Sequence, residues 1–426
     1  MAKLYKKTAL SNGLRVITVP MKDAKSVTVL ILVGTGSKYE TKDINGISHF
    51  LEHMFFKGTQ KRPSTLNISE AIDSVGGEYN AFTSKEVTGF YAKVDKSHVD
   101  VALDWISDIF LNSKFEEEEI QREKGVIIEE VNLYLDTPTA YIGDLWEELL
   151  YGNQPAGWAV IGEKENILSF DRKKITEYYK DHYSPANTIV CIAGGVGQKE
   201  AEAKIKKYFG EGSKNGMNEK VKVKESQLEP QVLIHNKKTD QTHFCLGVRA
   251  YDLFDKRKYA LSLLALILGG SMSSRLFIKV RERNGLAYSI HTSADEATDS
   301  GYLVTQAGID HKNLEKTIEL ILEEYKDLKN NKITEKELQK AKDFLKGHTA
   351  LSLDASDNQA SFYALQELLK KDILTPEEKF KKIDEVSIND IKNVAEEIFS
   401  PEKLNLAVIG PYGQEDQEKL KKLLKL

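Results

Sequence analysis

The sequence predicts an α+β fold of two homologous domains, each a mainly antiparallel β-sheet packed with α-helices. The first observation is an internal repeat: Tyr183–Gly195 resembles Phe399–Pro411, 216 residues later, and Thr88–Tyr91 resembles Ser300–Leu303, 212 residues later. Two nearly equal offsets between unrelated local motifs indicate a duplicated unit. The second observation is that both copies show the same order of predicted elements, with helices segregated between gathered strands.

Each copy opens with an apolar strand followed by a helix. The strand is predicted at Ser26–Val33 in the first copy and at Thr242–Val248 in the second. The helix is predicted at about Gly46–Phe56 and at Lys258–Leu268, because apolar residues recur there at helical spacing and glycine follows.

The later elements also correspond between the copies. Two strands around a turn are followed by amphipathic helices, a charged helix and a closing apolar strand. These elements are predicted around Gly76-Gly77 and Glu296–Gly301 for the turns, Val99–Leu111 and Leu314–Leu328 for the helices, and Thr188–Ala193 and Leu404–Ile409 for the closing strands.

The repeat also places the domain boundaries. We predict a first domain at residues 1–212, a linker at 213–229 and the homologous domain at 230–426. Around the linker, Gly, Ser, Asn, Lys and Glu dominate and apolar periodicity lapses. The alternative is a pair of unrelated domains whose similarity arose by chance.

Composition excludes several classes of protein. The 426 residues are 41% hydrophobic and 29% charged, as in ordinary globular proteins, so disorder, collagen and coiled coil are excluded as the dominant state. Sixty basic and 65 acidic residues give a formal charge of −5. This small negative net charge does not attract nucleic acid or anionic lipid, and we expect neither as a partner.

The cysteines and the apolar runs bear on location. Cys191 and Cys245 each lie in an apolar, strand-like run, which indicates reduced core thiols. The longest apolar stretch, Tyr259–Leu268, is about half the ~20 residues that a membrane span needs. The N-terminus lacks the apolar region of a signal peptide. We expect a cytoplasmic protein without a membrane partner.

One motif carries metal chemistry. His49-Phe-Leu-Glu52-His53 lies on the first predicted helix, where positions i, i+3 and i+4 share one face. Two imidazoles one turn apart can hold one Zn²⁺, while the carboxylate between them reaches the open coordination position. The order H-x-x-E-H marks the inverzincins. The alternative is a pair of surface histidines beside a solvated glutamate.

The aligned copy argues against this alternative. There, His49, Glu52 and His53 fall opposite residues that are all apolar: Leu261, Leu264 and Ala265. A polar triplet on a core face carries a burial cost unless a metal satisfies it.

A catalytic zinc needs a third protein ligand. The acidic helix predicted at Phe115–Tyr134 offers several glutamates. Glu123 and Glu130 lie two turns apart on one face, but spacing alone does not choose between Glu129 and Glu130.

Nearly the whole chain resembles the superfamily of pitrilysin, insulin-degrading enzyme and mitochondrial processing peptidase, in its short two-domain bacterial form. This resemblance implies one Zn²⁺ per chain held by His49, His53 and Glu130, since 76 residues separate the second His from the third ligand in the family. It implies that Glu52 is the general base acting on a zinc-bound water and that Glu123 is a supporting catalytic residue.

The resemblance also implies substrate-binding residues. The segment containing Asn80, Ala81 and Phe82 resembles the family's edge strand, on which a peptide pairs by β-augmentation. For Asn80, the alternative is a turn residue at the strand entry. Arg281 and Tyr288 resemble the family's Arg/Tyr pair, which hydrogen-bonds the substrate backbone, and the tyrosine hydroxyl could stabilise the oxyanion.

The residues around this pair include glycines and basic side chains, which also occur in phosphate-binding and nucleic-acid-binding sites. The preceding loop at Gly269-Gly270 is not a phosphate cradle, because it follows a helix and lacks Gly-Lys-Ser/Thr. A nucleic-acid patch formed by Arg275, Lys279 and their basic neighbours is the other alternative, but no aromatic interleaving accompanies it.

Together these features predict a zinc metalloendopeptidase that hydrolyses unfolded peptides or small proteins. Longer relatives build a closed chamber from one four-domain chain, so a two-domain chain carrying both motifs implies a homodimer in which Tyr288 serves the partner's zinc. The alternative is a non-catalytic subunit, or a processing peptidase with a single substrate, in a larger assembly.

Overall fold

The computed structural model describes residues 4–211, 219–330 and 333–426. Its strands are β1 (Lys6–Ala9), β2 (Arg15–Pro20), β3 (Ser26–Val33), β4 (Glu78–Thr83), β5 (Thr88–Asp95), β6 (Thr188–Gly194), β7 (Gln231–Asn236), β8 (Thr242–Arg249), β9 (Ala287–Glu296), β10 (Gly301–Ile309) and β11 (Leu404–Gly410).

The α-helices complete the inventory, with a π-helical segment at Phe277–Arg283. They are α1 (Ile47–Met54), α2 (Thr65–Asp73), α3 (Val99–Asn112), α4 (Glu117–Asp136), α5 (Pro138–Tyr151), α6 (Lys164–Ser169), α7 (Arg172–His182), α8 (Gln198–Phe209), α9 (Lys258–Gly269), α10 (Leu314–Asn330), α11 (Glu335–Ser352), α12 (Ser356–Lys370), α13 (Pro376–Asp384), α14 (Ile388–Ile398) and α15 (Glu415–Leu423).

The two sheets repeat one topology. The first has the order β1-β2-β6-β3-β5-β4, and the second has the order β7-β11-β8-β10-β9. In each sheet one pair is parallel, β2 with β6 and β7 with β11, and the other pairs are antiparallel. Without β1, the two orders correspond strand for strand. The predicted α+β fold of two homologous, mainly antiparallel sheets with helices is therefore confirmed.

The compact units are discontinuous in sequence. One comprises Met1–Asn132, Trp158–Val221 and Ala350–Thr375, and the other comprises Leu133–Gly157, Lys222–Thr349 and Pro376–Leu426. Helix α12 packs on β3 and β6 of the first sheet, whereas α5 packs on β8 and β11 of the second.

Each sheet is thus covered by a helix from the other half of the sequence. The repeat predicts contiguous domains at 1–212 and 230–426 and gives no sign of this exchange, because helical periodicity does not reveal which sheet a helix will cover. Residues 213–218 of the predicted linker lie outside the described residues.

Two sequence expectations concern cysteines and membrane spans. Cys191 in β6 and Cys245 in β8 are both free and buried, as predicted, and burial raises the pKa of each thiol. No helix in the described part of the chain combines the length and the apolarity of a transmembrane span.

Candidate active site

Helix α1 carries the H-x-x-E-H motif on one face. The opposite face is buried in the core through Phe50, Leu51 and Met54. This anchoring leaves His49, Glu52 and His53 less than fully buried, on the face that the sequence pattern predicts.

The N-terminus of α1 is held by a buried carboxylate. Glu40 accepts hydrogen bonds from the backbone N–H groups of Gly46 and Ser48, at 2.8 and 2.9 Å, and from Asn45 Nδ2 at 3.0 Å. Burial raises the pKa of Glu40, and these hydrogen bonds oppose the rise. Negative charge at this helix end also suits the helix dipole. Glu40 therefore fixes the first turn of α1, the helix that carries the motif.

Gly46 is the N-cap of this helix. Its φ of 99° lies in the left-handed region, and a Cβ there would lie 2.7 Å from the carbonyl oxygen of Ile161. A side chain at this position would push α1 away from its neighbouring loop.

His49, His53 and Glu130 converge on one point. One ligand atom from each lies within 4.8 Å of the others. Glu130 Oε1 is 3.6 Å from His49 Nε2, and Glu130 Oε2 is 3.4 Å from His53 Nε2. Ligand atoms around a tetrahedral zinc with bonds of about 2.1 Å lie roughly 3.4 Å apart, so these residues fit a zinc site with one open position.

Glu130, on α4, is the acidic residue in this cluster. Its neighbour Glu129 is exposed. Sequence spacing did not choose between these two residues, and in the fold it is Glu130 whose carboxylate lies 3.6 Å from His49 Nε2 and 3.4 Å from His53 Nε2.

Glu123 lies on α4 two turns before Glu130 and contacts His53. It is 2% exposed, accepts a hydrogen bond from His53 Nδ1 at 2.8 Å and forms an ion pair with Lys57 Nζ at 2.5 Å. Because an ionised carboxylate has no proton to donate, His53 donates from Nδ1, so a metal bound by this residue would be held by Nε2. Desolvation opposes ionisation of Glu123, but hydrogen bonds to His53 and Lys57 lower its pKa.

The two imidazoles have opposite pKa shifts. Burial, together with the nearby charge of His53, lowers the pKa of His49 to about 4. Burial also acts to lower the pKa of His53, but hydrogen bonds to Glu123 and Glu130 outweigh it and raise the value to about 9. The hydrogen bond to His53 lowers the pKa of Glu130. At neutral pH His53 is therefore an imidazolium held by two carboxylates, and a metal ion at this point would take the place of its Nε2 proton.

Glu52 does not join this cluster of ligands. It accepts a hydrogen bond from Thr83 Oγ1, at the end of β4, over 2.6 Å. Burial raises the pKa of Glu52. The hydrogen bond from Thr83 and the positive charge of His53 act in the opposite direction. A carboxylate with a raised pKa, oriented by one hydrogen bond, has the character of a general base.

Asn80, Ala81 and Phe82 lie on β4, the edge strand of the first sheet. Within the described residues, β4 pairs with β5 on one side and with no strand on the other. Asn80 Oδ1 accepts a hydrogen bond from the N–H of Ala81 at 2.9 Å, and Phe82 is 38% exposed. An edge of this kind can accept an added strand.

Arg281 and Tyr288 lie together in the other compact unit. The Arg281 guanidinium is 5.1 Å from the centre of the Tyr288 ring and 4.8 Å from that of Phe277. Tyr288 is 80% exposed, so its hydroxyl is accessible. The fold brings the predicted pair into contact.

The basic residues before this pair do not form an open positive patch. Arg275 forms ion pairs with Asp327 and Glu337, and Lys279 forms one with Glu324. These carboxylates offset the charge that a nucleic-acid site would need.

The second copy holds an apolar helix in place of the motif. Leu261, Leu264 and Ala265 on α9 are 0%, 0% and 4% exposed and belong to the core of the second sheet. Among the described residues, His49, His53 and Glu130 form the single group of three or more ligating side chains.

Three residues of the site were not predicted. Glu40, Lys57 and Thr83 act on the motif through contacts between distant elements, and no local pattern announces them. Thr83 offered the nearest signal, because it ends the segment that resembles the family's edge strand.

Comparison with protein-family models gives two matches. Residues 15–164 match the model described as Insulinase (Peptidase family M16), and residues 169–345 match the Peptidase M16 inactive domain.

Two similar curated proteins are named zinc proteases. YmxG of Bacillus subtilis is 37% identical over 413 residues, covering 96% of this chain and 99% of that protein. ML0855 of Mycobacterium leprae is 34% identical over 409 residues, covering 95% and 92%. Each carries the name uncharacterized zinc protease.

Solved structures share the fold. A protease from Helicobacter pylori has a TM-score of 0.89 at 24% identity, covering 96% of this chain and 99% of that one. A chain of Complex III2 from Candida albicans has a TM-score of 0.85 at 19% identity, covering 99% and 100%. At these identities the likeness concerns the fold alone.

Proposed function

The chain belongs to the insulinase family, peptidase family M16, and on this premise we propose that it is a zinc-dependent endopeptidase that hydrolyses unfolded peptides or small proteins. The observation that carries the proposal is the convergence of His49, His53 and Glu130 beside a separately held Glu52. Two imidazoles, one carboxylate and an adjacent base are the components of a hydrolytic zinc site.

In this proposal His49, His53 and Glu130 would hold one Zn²⁺ per chain. When bound, the ion would lower the pKa of a coordinated water towards 7 and polarise the scissile carbonyl. Glu123 fixes the His53 tautomer, and Lys57 keeps Glu123 ionised. These contacts keep Nε2 of His53 directed towards Glu130.

Glu52 is the proposed general base. Its Oε2 is bound by Thr83, which leaves Oε1 to take a proton from the attacking water. The same carboxyl then delivers that proton to the leaving amine. Its raised pKa brings proton gain and loss closer to neutral pH, which favours both steps.

The substrate would be held as an added strand. Asn80, Ala81 and Phe82 on the open edge of β4 supply main-chain groups for an extended peptide. Arg281 and Tyr288 would bind the substrate backbone, with the Tyr288 hydroxyl donating to the developing oxyanion. Recognition through the backbone favours many sequences over one.

We propose that the chain acts as a homodimer in which Tyr288 of one copy serves the zinc site of the other. The support is the resemblance to four-domain relatives, together with the presence of both motifs in one two-domain chain.

The competing function is a non-catalytic subunit or a processing peptidase with a single substrate. The fold also occurs in a chain of Complex III2, so fold alone does not separate these functions. The ligand cluster and the held Glu52 favour the enzyme, because a scaffold needs neither.

Metal analysis combined with hydrolysis of a quenched peptide library tests the proposal. We expect about one zinc per chain and cleavage that a chelator abolishes and added Zn²⁺ restores. A protein that binds no zinc and cleaves no peptide would instead support the non-catalytic subunit. Cleavage confined to one peptide would support the single-substrate alternative.

A further inference from the structure

A cavity of about 310 Å³ opens beside Tyr288 in the second compact unit. It lies between three strands of the second sheet and the first turn of α5. The lining residues with polar side chains include Thr139, His243, Tyr288, Ser289, His291 and Gln306. A cavity of this size holds one amino-acid side chain with adjoining backbone.

The sheet register places two imidazoles on one face. His243 of β8 pairs with Gly308 of β10, which pairs in turn with Ser289 of β9, and His291 pairs with Gln306. Residues directly opposite each other project to the same face, as do residues two apart on one strand. Gly308 leaves room here, since a Cβ on it would lie 3.1 Å from His243 Cε1.

A β-bulge turns Tyr288 to the same cavity. Gly308 pairs with Ser289 and Ile309 pairs with Ala287, so Tyr288 has no partner residue on β10. Such a bulge re-aims a side chain. Consecutive residues, Tyr288 and Ser289, therefore both line the cavity, which regular alternation along a strand would prevent.

The surroundings are rich in donors and poor in negative charge. The described lining residues include no Asp, Glu, Lys or Arg. The imidazoles of His243 and His291 enter no hydrogen bond or ion pair within residues 4–211, 219–330 and 333–426, so their N–H groups are available. The guanidinium of Arg281 lies 5.1 Å from the centre of the Tyr288 ring, and the N-terminal turn of α5, which carries partial positive charge, contributes Thr139 to the lining.

We propose that this cavity binds a carboxylate of the peptide substrate, held by the N–H groups of His243 and His291 next to the backbone that Tyr288 contacts. The carboxylate is that of an acidic side chain or of the C-terminus, since both present the same group. The inference rests on the proposed function, because it takes Tyr288 as a substrate contact. It makes the enzyme selective for peptides with a negative charge at one fixed position.

Binding to an inactive variant tests this inference without relying on cleavage. A set of fluorescein-labelled Ala/Ser peptides carries one Glu each, at a different position in every peptide. They are titrated into zinc-loaded Glu52→Gln protein, and peptides with Gln in place of the Glu serve for comparison. A second pair, without Glu, differs only in a free or an amidated C-terminus. We expect one member of these sets to bind about tenfold more tightly than its uncharged counterpart.

Substitutions then locate the effect. In the Glu52→Gln background, His291→Val and His243→Val should each remove most of the tenfold preference and leave the affinity for uncharged peptides unchanged. Ser293→Val, on the same strand but outside the cavity, is the matched control. Because His291 is exposed, its variant should fold even where the half-buried His243 variant does not.

Each outcome decides one question. A Glu preference identifies side-chain carboxylates, and a preference for the free C-terminus identifies terminal ones. Equal binding of charged and uncharged peptides, or a preference that survives both histidine variants, would overturn the inference. If the preference is present but wild-type protein hydrolyses none of these peptides, the proposed function fails and the carboxylate site stands.

Discussion

Thr83 Oγ1 donates a hydrogen bond to Glu52 Oε2 over 2.6 Å, which joins the end of an edge strand to helix α1, where the proposed metal ligands His49 and His53 lie. The strand that would receive the peptide therefore also orients the proposed base. This contact couples the position of the substrate backbone to the position of the carboxylate that acts on it.

The first prediction concerns this contact. Thr83→Val keeps the side-chain shape but removes the donor, so Glu52 loses its orientation and kcat/KM should fall about tenfold, with zinc content unchanged. Steady-state hydrolysis of a quenched peptide and metal analysis measure the two quantities. Thr8→Val, on the opposite edge strand of the sheet, is the control. Full activity in Thr83→Val protein would show that Glu52 needs no such support.

The second prediction concerns Glu123. Glu123→Gln removes the charge that fixes the His53 tautomer and leaves Lys57 without its ion pair, so the affinity for zinc should fall by about 10- to 100-fold. Competition with a chromogenic chelator measures the dissociation constant. Glu129→Gln changes an exposed residue of the same helix and should bind zinc as the wild type does. Equal affinities in the two variants would remove Glu123 from the site.

The residues of the candidate site differ in how far the sequence alone could identify them. His49, Glu52 and His53 are neighbours on one helix, and their spacing alone places them on one face. The corresponding helix in the second copy of the repeat is apolar at these three positions, which strengthens the metal hypothesis. Glu130 required the resemblance, because helical spacing alone did not separate it from Glu129.

Contacts between distant elements could not be predicted in this way. Thr83 and Glu40 are ordinary residues at a strand end and before a helix, and their roles arise only when those elements pack against α1. The exchange of α5 and α12 between the sheets has the same cause. An amphipathic helix requires an apolar surface, and both sheets offer one.

The third prediction concerns the anchor of α1. In Glu40→Gln protein one acceptor oxygen is replaced by an amide that faces N–H donors, which leaves buried groups unpaired. We expect the free energy of unfolding to fall by about 1–3 kcal/mol. Urea denaturation monitored by circular dichroism measures it. Glu118→Gln changes an exposed residue of α4 and should leave the free energy of unfolding nearly unchanged. A Glu40→Gln protein as stable as the wild type would contradict the anchoring role.

The fourth prediction is a pH dependence of stability from His182. Burial lowers the pKa of this histidine to about 4, whereas the unfolded chain has the ordinary value of 6.5. Neutral His182, hydrogen-bonded to Thr35, therefore stabilises the fold fully above about pH 6.5. As the pH falls, the unfolded state binds the proton first, and about 3 kcal/mol of stability is lost by about pH 4.

Urea denaturation between pH 7 and pH 4, with chelator present so that metal loss contributes nothing, measures this slope. His182→Gln should reduce the loss of stability over that interval, while His98→Gln should retain it. Identical slopes in all three proteins would show that other groups account for the acid sensitivity.

The fifth prediction tests the shared site of the proposed homodimer. Glu52→Gln and Tyr288→Phe proteins are each expected to be nearly inactive, because one lacks the base and the other the oxyanion donor. After subunit exchange, half of the dimers are mixed, and each mixed dimer contains one site with both intact residues. Activity should therefore return to about a quarter of the wild-type value. Mass spectrometry of an isotopically labelled partner establishes that exchange has occurred. If exchange is complete and no activity returns, Glu52 and Tyr288 act within one chain, and the chamber is not built from two copies in the way proposed.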